Sequence, residues 1–313
     1  MIKEEFYFDS RDGENRIHAV RYTPDDGNVK GIVQIVHGMA EYVERYENLA
    51  EFLTKRGILV TGEDHLGHGK SVAEGGTFGY FCEQDPATVV VRDVHRLKKL
   101  TEEQYPQVPY IILGHSMGSF ITRNYLYRYG NGIDGAVIVG TGMQSAGLIF
   151  ASKAMAGIQK LFWGPEHVSH FIDNAAFGSY NKRIDSPRTS SDWLSRNTDN
   201  VDRYIADELC GFTFTVNGFQ TLFELIRRLQ KQENLEKVPQ NLPILMVSGA
   251  EDPVGDYGKG VHKACDSLKR VGVKNITVKL YENDRHELLN EEDGEQAMED
   301  IWQWICKEVP GIA

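Results

Sequence analysis

The sequence predicts an α/β protein with a mostly parallel central sheet, flanked by helices and interrupted by one helical insertion. Short apolar runs alternate with helical patterns along the chain, which is typical of a parallel sheet covered on both faces. Residues 141–240 break this alternation, and a serine between two glycines stands where one strand gives way to a helix.

Six apolar runs that are rich in β-branched residues and bounded by Gly or Pro predict core strands. They lie at 31–37, 57–63, 110–113, 135–140, 243–248 and 276–281. Helical patterns lie at 46–56, 87–105, 119–129, 258–271 and 294–309. Two earlier segments, around 6–8 and 18–22, predict a hairpin at the edge of the sheet, so that 135–140 is the sixth strand.

The interruption predicts a separate layer of structure. Residues 141–240 contain helix-like pieces and polar turns but no clear strand. An insertion of this size between two core strands is expected to lie above the sheet as a helical cap, inserted after the sixth core strand. The predicted domains are a first core part at 1–140, the cap at 141–240 and a second core part at 241–313.

Composition restricts the partners and the compartment. The chain has 34 Lys plus Arg and 45 Asp plus Glu, for a net charge of −11, and an acidic surface repels the phosphates of nucleic acids. The four cysteines are scattered along the sequence, and the first residues lack the apolar core of a signal peptide. Both observations predict a cytoplasmic protein. The most apolar stretch, 147–163, is interrupted by Lys153 and Lys160, which argues against a membrane span but leaves an amphipathic surface segment open.

A five-residue segment predicts a nucleophile. GHSMG at 114–118 fits the pattern G-x-S-x-G and lies between an apolar run and a helical pattern. A strand, a sharp turn and a helix in that order hold the serine hydroxyl above the sheet, and the helix N-terminus directs free N–H groups towards it. We therefore predict Ser116 as the nucleophile. The alternative is a glycine-rich turn with a helix-capping serine.

A serine hydroxyl needs a base, and histidine suits this role because its pKa lies near neutral pH. His286 follows the last predicted strand in a polar loop before the C-terminal helix, so we predict it as the base. The carboxylate that orients the base is expected between the serine and the histidine in the chain. Asp252, which follows the strand at 243–248, is predicted for this role, with Glu251 and Asp256 as alternatives in the same loop.

Attack on a carbonyl creates an oxyanion that requires N–H donors already in position. One donor is expected to be the backbone N–H of Met117, the residue after the nucleophile. The second is expected from the loop after the strand at 31–37, where Gly38 allows a close approach and Met39 supplies the N–H. A simple glycine turn is the alternative for that loop.

These motifs together resemble the monoacylglycerol lipase and lysophospholipase branch of the α/β-hydrolases. The resemblance extends from about residue 16 to the C-terminus. Its segments are HGMAEYVERYENLAEFL, EDHLGHGKS, LGHSMGS, SGAEDPVG and YENDRHELLNE. It implies the α/β-hydrolase fold, the triad Ser116, Asp252 and His286 in the chain order of that fold, and the oxyanion donors named above. It also implies a serine esterase without a cofactor.

The resemblance also implies a substrate-binding pair. The pattern HG-x-x-E…RY places Glu41 and Arg45 near the polar head of the substrate and implies a hydroxyl- or phosphate-bearing leaving group. A purely structural ion pair between these two residues is an equal alternative. In EDHLGHGKS, His65 and His68 suggest a metal, but structural zinc takes four ligands and no third cluster lies nearby, so no metal is expected.

The leading functional hypothesis is hydrolysis of a monoacylglycerol or a lysophospholipid through an acyl-enzyme, with an apolar tunnel in the cap above Ser116. We expect a small-molecule acyl ester as partner, no nucleic acid, and transient contact of the cap with a membrane surface. A small-ester carboxylesterase or a peptidase on the same scaffold is the alternative. A non-catalytic binding protein is a remote alternative, because all three triad residues are present. The oligomeric state is left open by the sequence.

Overall fold

The computed structural model describes residues 1–312, and its strands form one eight-stranded sheet. The strands are β1 Ile2–Asp9, β2 Arg16–Thr23, β3 Gly31–Val36, β4 Ile58–Glu63, β5 Tyr110–His115, β6 Gly135–Val139, β7 Ile244–Gly249 and β8 Ile276–Tyr281. The helices are α1 Glu47–Thr54, α2 Pro86–Gln104, α3 Met117–Tyr129, α4 Ala146–Trp163, α5 His170–Phe177, α6 Thr198–Ala206, α7 Val216–Arg228, α8 Gln232–Leu235, α9 Lys259–Arg270 and α10 Gly294–Glu308.

The sheet is mostly parallel, as predicted, with the order β1-β2-β4-β3-β5-β6-β7-β8. β1 and β2 form the predicted antiparallel hairpin at the edge, and β2 also pairs antiparallel with β4, whereas all other pairs are parallel. β3 to β7 are buried along their whole length, which explains why their sequences are continuous apolar runs rather than alternating ones.

Two apolar layers cover the two faces of the sheet. α1 and α10 pack on one face, while α2, α3 and α9 pack on the other together with α7 from the insertion. In α10, Ala297, Ile301, Trp304 and Ile305 are buried. Their spacing of four, three and one residues places them on one stripe of a 3.6-residue helix, which is the stripe that faces the sheet.

A helical insertion lies between β6 and β7, as predicted, and it comprises α4 to α8. Four of its helices begin at a polar side chain that accepts a backbone N–H of the first turn, which is why the sequence shows polar turns there. These capping residues are Ser145, Ser169, Asn197 and Thr215. The domain boundaries at 140 and 240 stay a prediction.

The outer helix α4 leaves large apolar side chains in contact with solvent. Leu161 and Phe162 near its end are 82% and 70% exposed. Further exposed apolar residues on α4 and α5 are Phe150, Ile158, Trp163 and Phe171. Over residues 1–312, no helix combines the length and apolarity needed to cross a membrane.

An acidic side chain is buried beneath the turn that joins β1 to β2. Asp93 of α2 is 2% exposed, and it accepts hydrogen bonds from Ser10 Oγ (2.7 Å) and the Arg11 N–H (2.6 Å). Burial, followed by the charge of Glu63, raises the pKa of Asp93 from 3.8 to about 8. The folded chain therefore keeps a proton on Asp93 over a pH range in which the unfolded chain has released it.

We expect Asp93→Asn to stabilise the protein at alkaline pH. Since the folded state binds more protons than the unfolded state between pH 4 and 8, the unfolding free energy of the wild type falls as pH rises through this range. The substitution removes that loss. Thermal unfolding at pH 8.5 should therefore show that the free energy of unfolding is higher than that of the wild type by about 1 kcal/mol or more, with a smaller increase at pH 5. Asp134→Asn, at an exposed aspartate, is the control. Equal gains at both pH values would contradict the expectation.

Candidate active site

Ser116 occupies a sharp turn between β5 and α3. Its backbone angles are φ 54° and ψ −119°, in a region that residues other than glycine rarely adopt. The Ser116 N–H donates to the carbonyl of Val139 on β6 (3.0 Å), which fixes the turn to the neighbouring strand. The strain is thus compensated by the sheet, and the serine side chain projects beyond the carboxyl end of β5.

The glycines on either side of Ser116 are required by close packing. A Cβ on Gly114 would overlap Thr122 Oγ1 and the carbonyl oxygen of Gly118. A Cβ on Gly118 would overlap the carbonyl oxygens of Val36 and His37 at the end of β3. Gly114 therefore allows α3 to lie against β5, and Gly118 allows the start of α3 to lie against the end of β3.

The structure brings together the three residues of the predicted triad. His286 Nε2 lies 2.8 Å from Ser116 Oγ, and His286 Nδ1 lies 3.0 Å from Asp252 Oδ2. Asp252 and His286 are buried, while Ser116 is partly exposed to the cavity above it. These distances form one hydrogen-bonded line from the carboxylate through the imidazole to the hydroxyl.

Further hydrogen bonds hold the Asp252 carboxylate in place. Oδ2 also accepts from Ser248 Oγ (3.1 Å), and Oδ1 accepts from the Val254 N–H (2.8 Å). Glu251 and Asp256, the alternatives in this loop, are exposed and face solvent. Of the three acids, Asp252 is therefore the one that contacts the histidine.

The loop after β3 passes directly against Ser116. A Cβ on Gly38 would lie 3.1 Å from Ser116 Cβ, so the loop depends on glycine there. Among residues 1–312, the N–H groups of Met39 and Met117 have no hydrogen-bond acceptor, and both residues line the cavity beside Ser116. Two free N–H groups near the serine are what an oxyanion hole needs.

His37 fixes the orientation of this loop. Its Nδ1 lies 2.8 Å from the Gly38 carbonyl oxygen, and its Nε2 accepts from the His65 N–H (3.0 Å). Burial lowers the pKa of His37 to about 3, so the ring is neutral with its proton on Nδ1. Because the peptide is trans, holding the Gly38 carbonyl directs the Met39 N–H to the opposite side.

Glu41, which is buried, and Arg45, which is half-buried, form an ion pair. Arg45 Nη1 donates to Glu41 Oε2 (2.7 Å), and Arg45 also makes two hydrogen bonds to Glu287, at 2.9 and 2.8 Å. Glu41 and Glu287 line the cavity beside Ser116, whereas Arg45 lies behind them. The structure thus contains the ion pair that was the alternative to substrate binding, and it adds a third member that the sequence did not indicate.

A cavity of about 580 Å³ lies above Ser116, between the sheet and the insertion. Its acidic lining residues are Glu41, Asp173 and Glu287, the rings of His115 and His286 also line it, and within residues 1–312 no Lys or Arg contributes to the lining. Apolar side chains from the insertion form much of the remaining wall. They include Ile149, Met155, Phe177, Phe212, Leu222 and Phe223.

Three residues at the site were missed by the sequence analysis. Trp193 of the insertion has its ring centroid 5.1 Å from that of His286 and also packs against Tyr180. His115 and Glu287 adjoin predicted residues in the chain, so adjacency was the signal available for them. Trp193 offered no such signal, because its position depends on how the insertion folds over the sheet.

The histidines of EDHLGHGKS are buried behind the site. His68 Nδ1 faces the carbonyl oxygen of Leu66 (3.0 Å), and the rings of His37 and His65 lie with centroids 4.0 Å apart and planes tilted by 31°. Burial lowers the pKa of His65 to about 4. Across residues 1–312, no three His, Cys, Asp or Glu side chains are arranged to hold a metal ion.

The fold and this constellation define a serine hydrolase of the α/β-hydrolase class. The chain matches the family described as serine aminopeptidase, S33, over residues 27–293, and it belongs to that family. The resemblance drawn from the sequence motifs is thereby confirmed, and the chain falls in the branch that contains the monoglyceride lipases and esterases.

Several known proteins resemble the chain over most of its length. It is 28% identical to the monoglyceride lipase of Rattus norvegicus, over 92% of this chain and 86% of that one. It is 27% identical to the monoacylglycerol lipase of Mycolicibacterium smegmatis, over 91% and 90%. A thermostable carboxyl esterase of Bacillus coagulans, solved in complex with glycerol, matches all of both chains with a TM-score of 0.91 and 30% identity. These matches confirm the predicted α/β-hydrolase fold.

We expect Gly118→Ala to destabilise the protein, because the added methyl group would overlap backbone carbonyls at the end of β3. Thermal unfolding should show that the free energy of unfolding falls by about 3 kcal/mol or more, because the backbone cannot move aside as a side chain can. Gly157→Ala in α4 is the matched control. A Cβ there meets nothing within 4 Å, so the better helix propensity of alanine should stabilise the protein slightly. Similar results for both variants would contradict the steric argument.

Proposed function

We propose that this protein is a carboxylic-ester hydrolase that cleaves monoacylglycerols, with Ser116 forming the acyl-enzyme. The observation that carries this proposal is the cavity above Ser116. It has an apolar wall suited to an acyl chain, and within residues 1–312 no Lys or Arg lines it. Such a cavity suits a substrate with a long apolar part and an uncharged polar part.

In the proposed reaction, Ser116 Oγ attacks the ester carbonyl while His286 Nε2 takes its proton. Asp252 holds the Nδ1–H of His286 and stabilises the imidazolium that forms. The N–H groups of Met39 and Met117 stabilise the oxyanion. His286 then protonates the leaving alcohol, and the same base activates a water molecule that hydrolyses the acyl-enzyme.

The charges in the cavity favour a neutral leaving group over a phosphate. A lysophospholipid carries a phosphate, but within residues 1–312 no Lys or Arg lines the cavity, and both ring nitrogens of His115 already face Glu41 and the His286 carbonyl. A charge moved into a partly buried site without a partner costs free energy. Glycerol has only hydroxyl groups to hydrogen-bond. The names of the rat and M. smegmatis relatives, and the glycerol held by the B. coagulans esterase, support the same choice.

Aminopeptidase activity is the second candidate, because the family description names it and Asp173 lines the cavity. Recognition of a free amine requires a carboxylate that is not already paired. Glu41 and Glu287 both pair with Arg45. Asp173 is half-buried, and burial raises its pKa, which disfavours the charged form that an amine would need.

The exposed apolar side chains on α4 and α5 suit a lipid surface, from which a monoacylglycerol would enter the cavity. An amphipathic surface helix with large apolar residues binds at the membrane interface without crossing it. We therefore propose that the insertion contacts membranes transiently. The cytoplasmic location remains a prediction from the sequence.

The main test compares the wild type with Ser116→Ala on mono-oleoylglycerol and on oleoyl lysophosphatidylcholine. We expect the wild type to cleave the monoacylglycerol with a kcat/KM about tenfold higher or more, which corresponds to ~1.4 kcal/mol of discrimination. Ser116→Ala should cleave neither ester and should not react with a fluorophosphonate probe. Labelling that survives the substitution would refute the role of Ser116. Preference for the lysophospholipid, or cleavage of leucine p-nitroanilide instead of either ester, would refute the substrate class.

A second test addresses the lipid surface. We expect Leu161→Ser together with Phe162→Ser to weaken binding to phosphatidylcholine vesicles about tenfold or more in a sedimentation assay, because burial of each side chain stabilises binding by ~1.5–3 kcal/mol. Hydrolysis of dissolved p-nitrophenyl acetate should stay unchanged. Ile2→Ser, at an exposed apolar residue of β1, is the control. Vesicle binding that is equal in all three proteins would contradict the proposal.

A further inference from the structure

Arg45 connects two loops that belong to different ends of the chain. Through Glu41, it reaches the loop of Gly38 and Met39, because Glu41 Oε1 accepts the Gly38 N–H at 2.5 Å. On its other side, Arg45 makes the two hydrogen bonds to Glu287, which immediately follows His286. One guanidinium thus joins the loop of the expected oxyanion donor to the loop of the expected base.

Further hydrogen bonds, besides those from Arg45, hold Glu287 in place. Its Oε2 accepts from Asn200 Nδ2 of α6 (2.7 Å) and from Asn290 Nδ2 (3.1 Å). Its N–H donates to the carbonyl oxygen of Leu194 in the insertion (2.7 Å). Because both carboxylate oxygens are engaged, the residue after His286 has one defined position, and the insertion shares in defining it.

His115 forms a second link between the same two loops. Its Nδ1 lies 3.2 Å from Glu41 Oε1, and its Nε2 lies 3.2 Å from the carbonyl oxygen of His286. Both partners are acceptors, and a neutral imidazole has only one N–H to donate. Both hydrogen bonds therefore form only on the charged ring. Although burial lowers the pKa of His115, the hydrogen bond with Glu41 and the negative charges of Glu41 and Glu287 together outweigh burial and raise the pKa above 6.5.

The four side chains form a balanced buried cluster. Glu41 and Glu287 carry negative charge, and Arg45 and His115 carry positive charge. Burial raises the pKa of Glu41, but the hydrogen bond from His115 and the charge of Arg45 hold it well below its ordinary value. Burial also raises the pKa of Glu287, but the charge of Arg45 and the hydrogen bonds from Arg45 and Asn200 together outweigh burial and lower the pKa. A buried ion pair is tolerated when every partner is satisfied, and removal of one partner leaves an uncompensated charge.

We infer that Arg45 and Glu287 act as positioning residues, which hold the Met39 donor and the His286 base at a fixed separation around Ser116. The inference rests on the proposed ester hydrolysis. It also assigns Arg45 a role different from the substrate binding that the family resemblance implies. The guanidinium lies behind the cavity wall and directs its hydrogen bonds to two carboxylates, and Glu41 has four donors of the protein on its two oxygens.

The test uses two esters that differ in their leaving group. Mono-oleoylglycerol has hydroxyl groups to bind, whereas p-nitrophenyl octanoate has none. We expect Glu287→Gln to lower kcat about 10- to 100-fold on both esters, because sub-ångström displacement of catalytic groups has effects of this size. KM should change by less than about twofold. Glu292→Gln is the matched control and should retain wild-type kinetics, because Glu292 is an exposed glutamate of the following segment and pairs with no charged side chain among residues 1–312.

Substitutions of Arg45 provide a second, independent test. Arg45→Lys keeps the charge but loses the paired hydrogen bonds to Glu287, so its kcat should lie between those of the wild type and Arg45→Gln. The double variant Arg45→Gln with Glu287→Gln should be no slower than the slower single variant, because both substitutions break one link. If Glu287→Gln fails to fold by circular dichroism, the Arg45→Lys kinetics on the two esters decide the question.

The outcomes separate positioning from binding. A loss confined to mono-oleoylglycerol and expressed in KM would overturn the inference and show that the cluster binds the head group. Unchanged kcat on both esters in Glu287→Gln and Arg45→Lys would overturn it as well. If the wild type cleaves the nitrophenyl ester but not mono-oleoylglycerol, the proposed substrate class is refuted. The kinetics of the variants on the nitrophenyl ester then still test the positioning role. A wild type that cleaves neither ester would overturn both.

Discussion

The packing of α3 against the end of β3 is the constraint on which the rest of the site depends. It requires a bare backbone at Gly118, and it forces Ser116 into a positive φ that the hydrogen bond to Val139 maintains. With this turn in place, the first N–H groups of the helix lie beside the serine. The loop after β3 has to pass the same point, since β3 and β5 are neighbours in a parallel sheet. A steric requirement within the core therefore determines which backbone groups surround the hydroxyl.

Around this turn, the protein satisfies two groups of buried polar side chains in different ways. On one side, His37, neutral because of burial, uses one nitrogen as donor and the other as acceptor to fix the Gly38 peptide. On the other side, Glu41, Arg45, His115 and Glu287 are charged and balance each other. Neutral and charged groups are both inexpensive to bury only when each hydrogen-bonding atom has a partner, which makes these networks rigid.

The insertion covers the cavity and also contacts the residues that hold His286 in place. Trp193 packs against the His286 ring, Asn200 bonds to Glu287, and the backbone of Leu194 receives the Glu287 N–H. The same segment supplies most of the apolar wall of the cavity. A change in the insertion would therefore act on substrate space and on the position of the base together, because one set of residues serves both.

The sequence alone was sufficient for the sheet and the insertion, and it predicted the chain order of the proposed triad. These follow from local information: apolar runs set the strands, glycine spacing sets the turn at Ser116, and chain order places Asp252 and His286 at the carboxyl ends of β7 and β8. The ion pair of Glu41 and Arg45 was one of two open interpretations. The choice among Glu251, Asp252 and Asp256 was also ambiguous, because all three lie in one loop and only the fold shows which of them faces inward.

Only the tertiary structure determined those features that are formed by residues far apart in the chain. Glu287 is 242 residues from Arg45 in the chain, and no local pattern predicts that two loops so far apart share a guanidinium. The same holds for Trp193 over His286, and for a cavity that acidic residues line but, within residues 1–312, no Lys or Arg. A strand or a turn is encoded by neighbouring residues, whereas the charge and shape of a cavity arise from side chains that only the packed fold brings together.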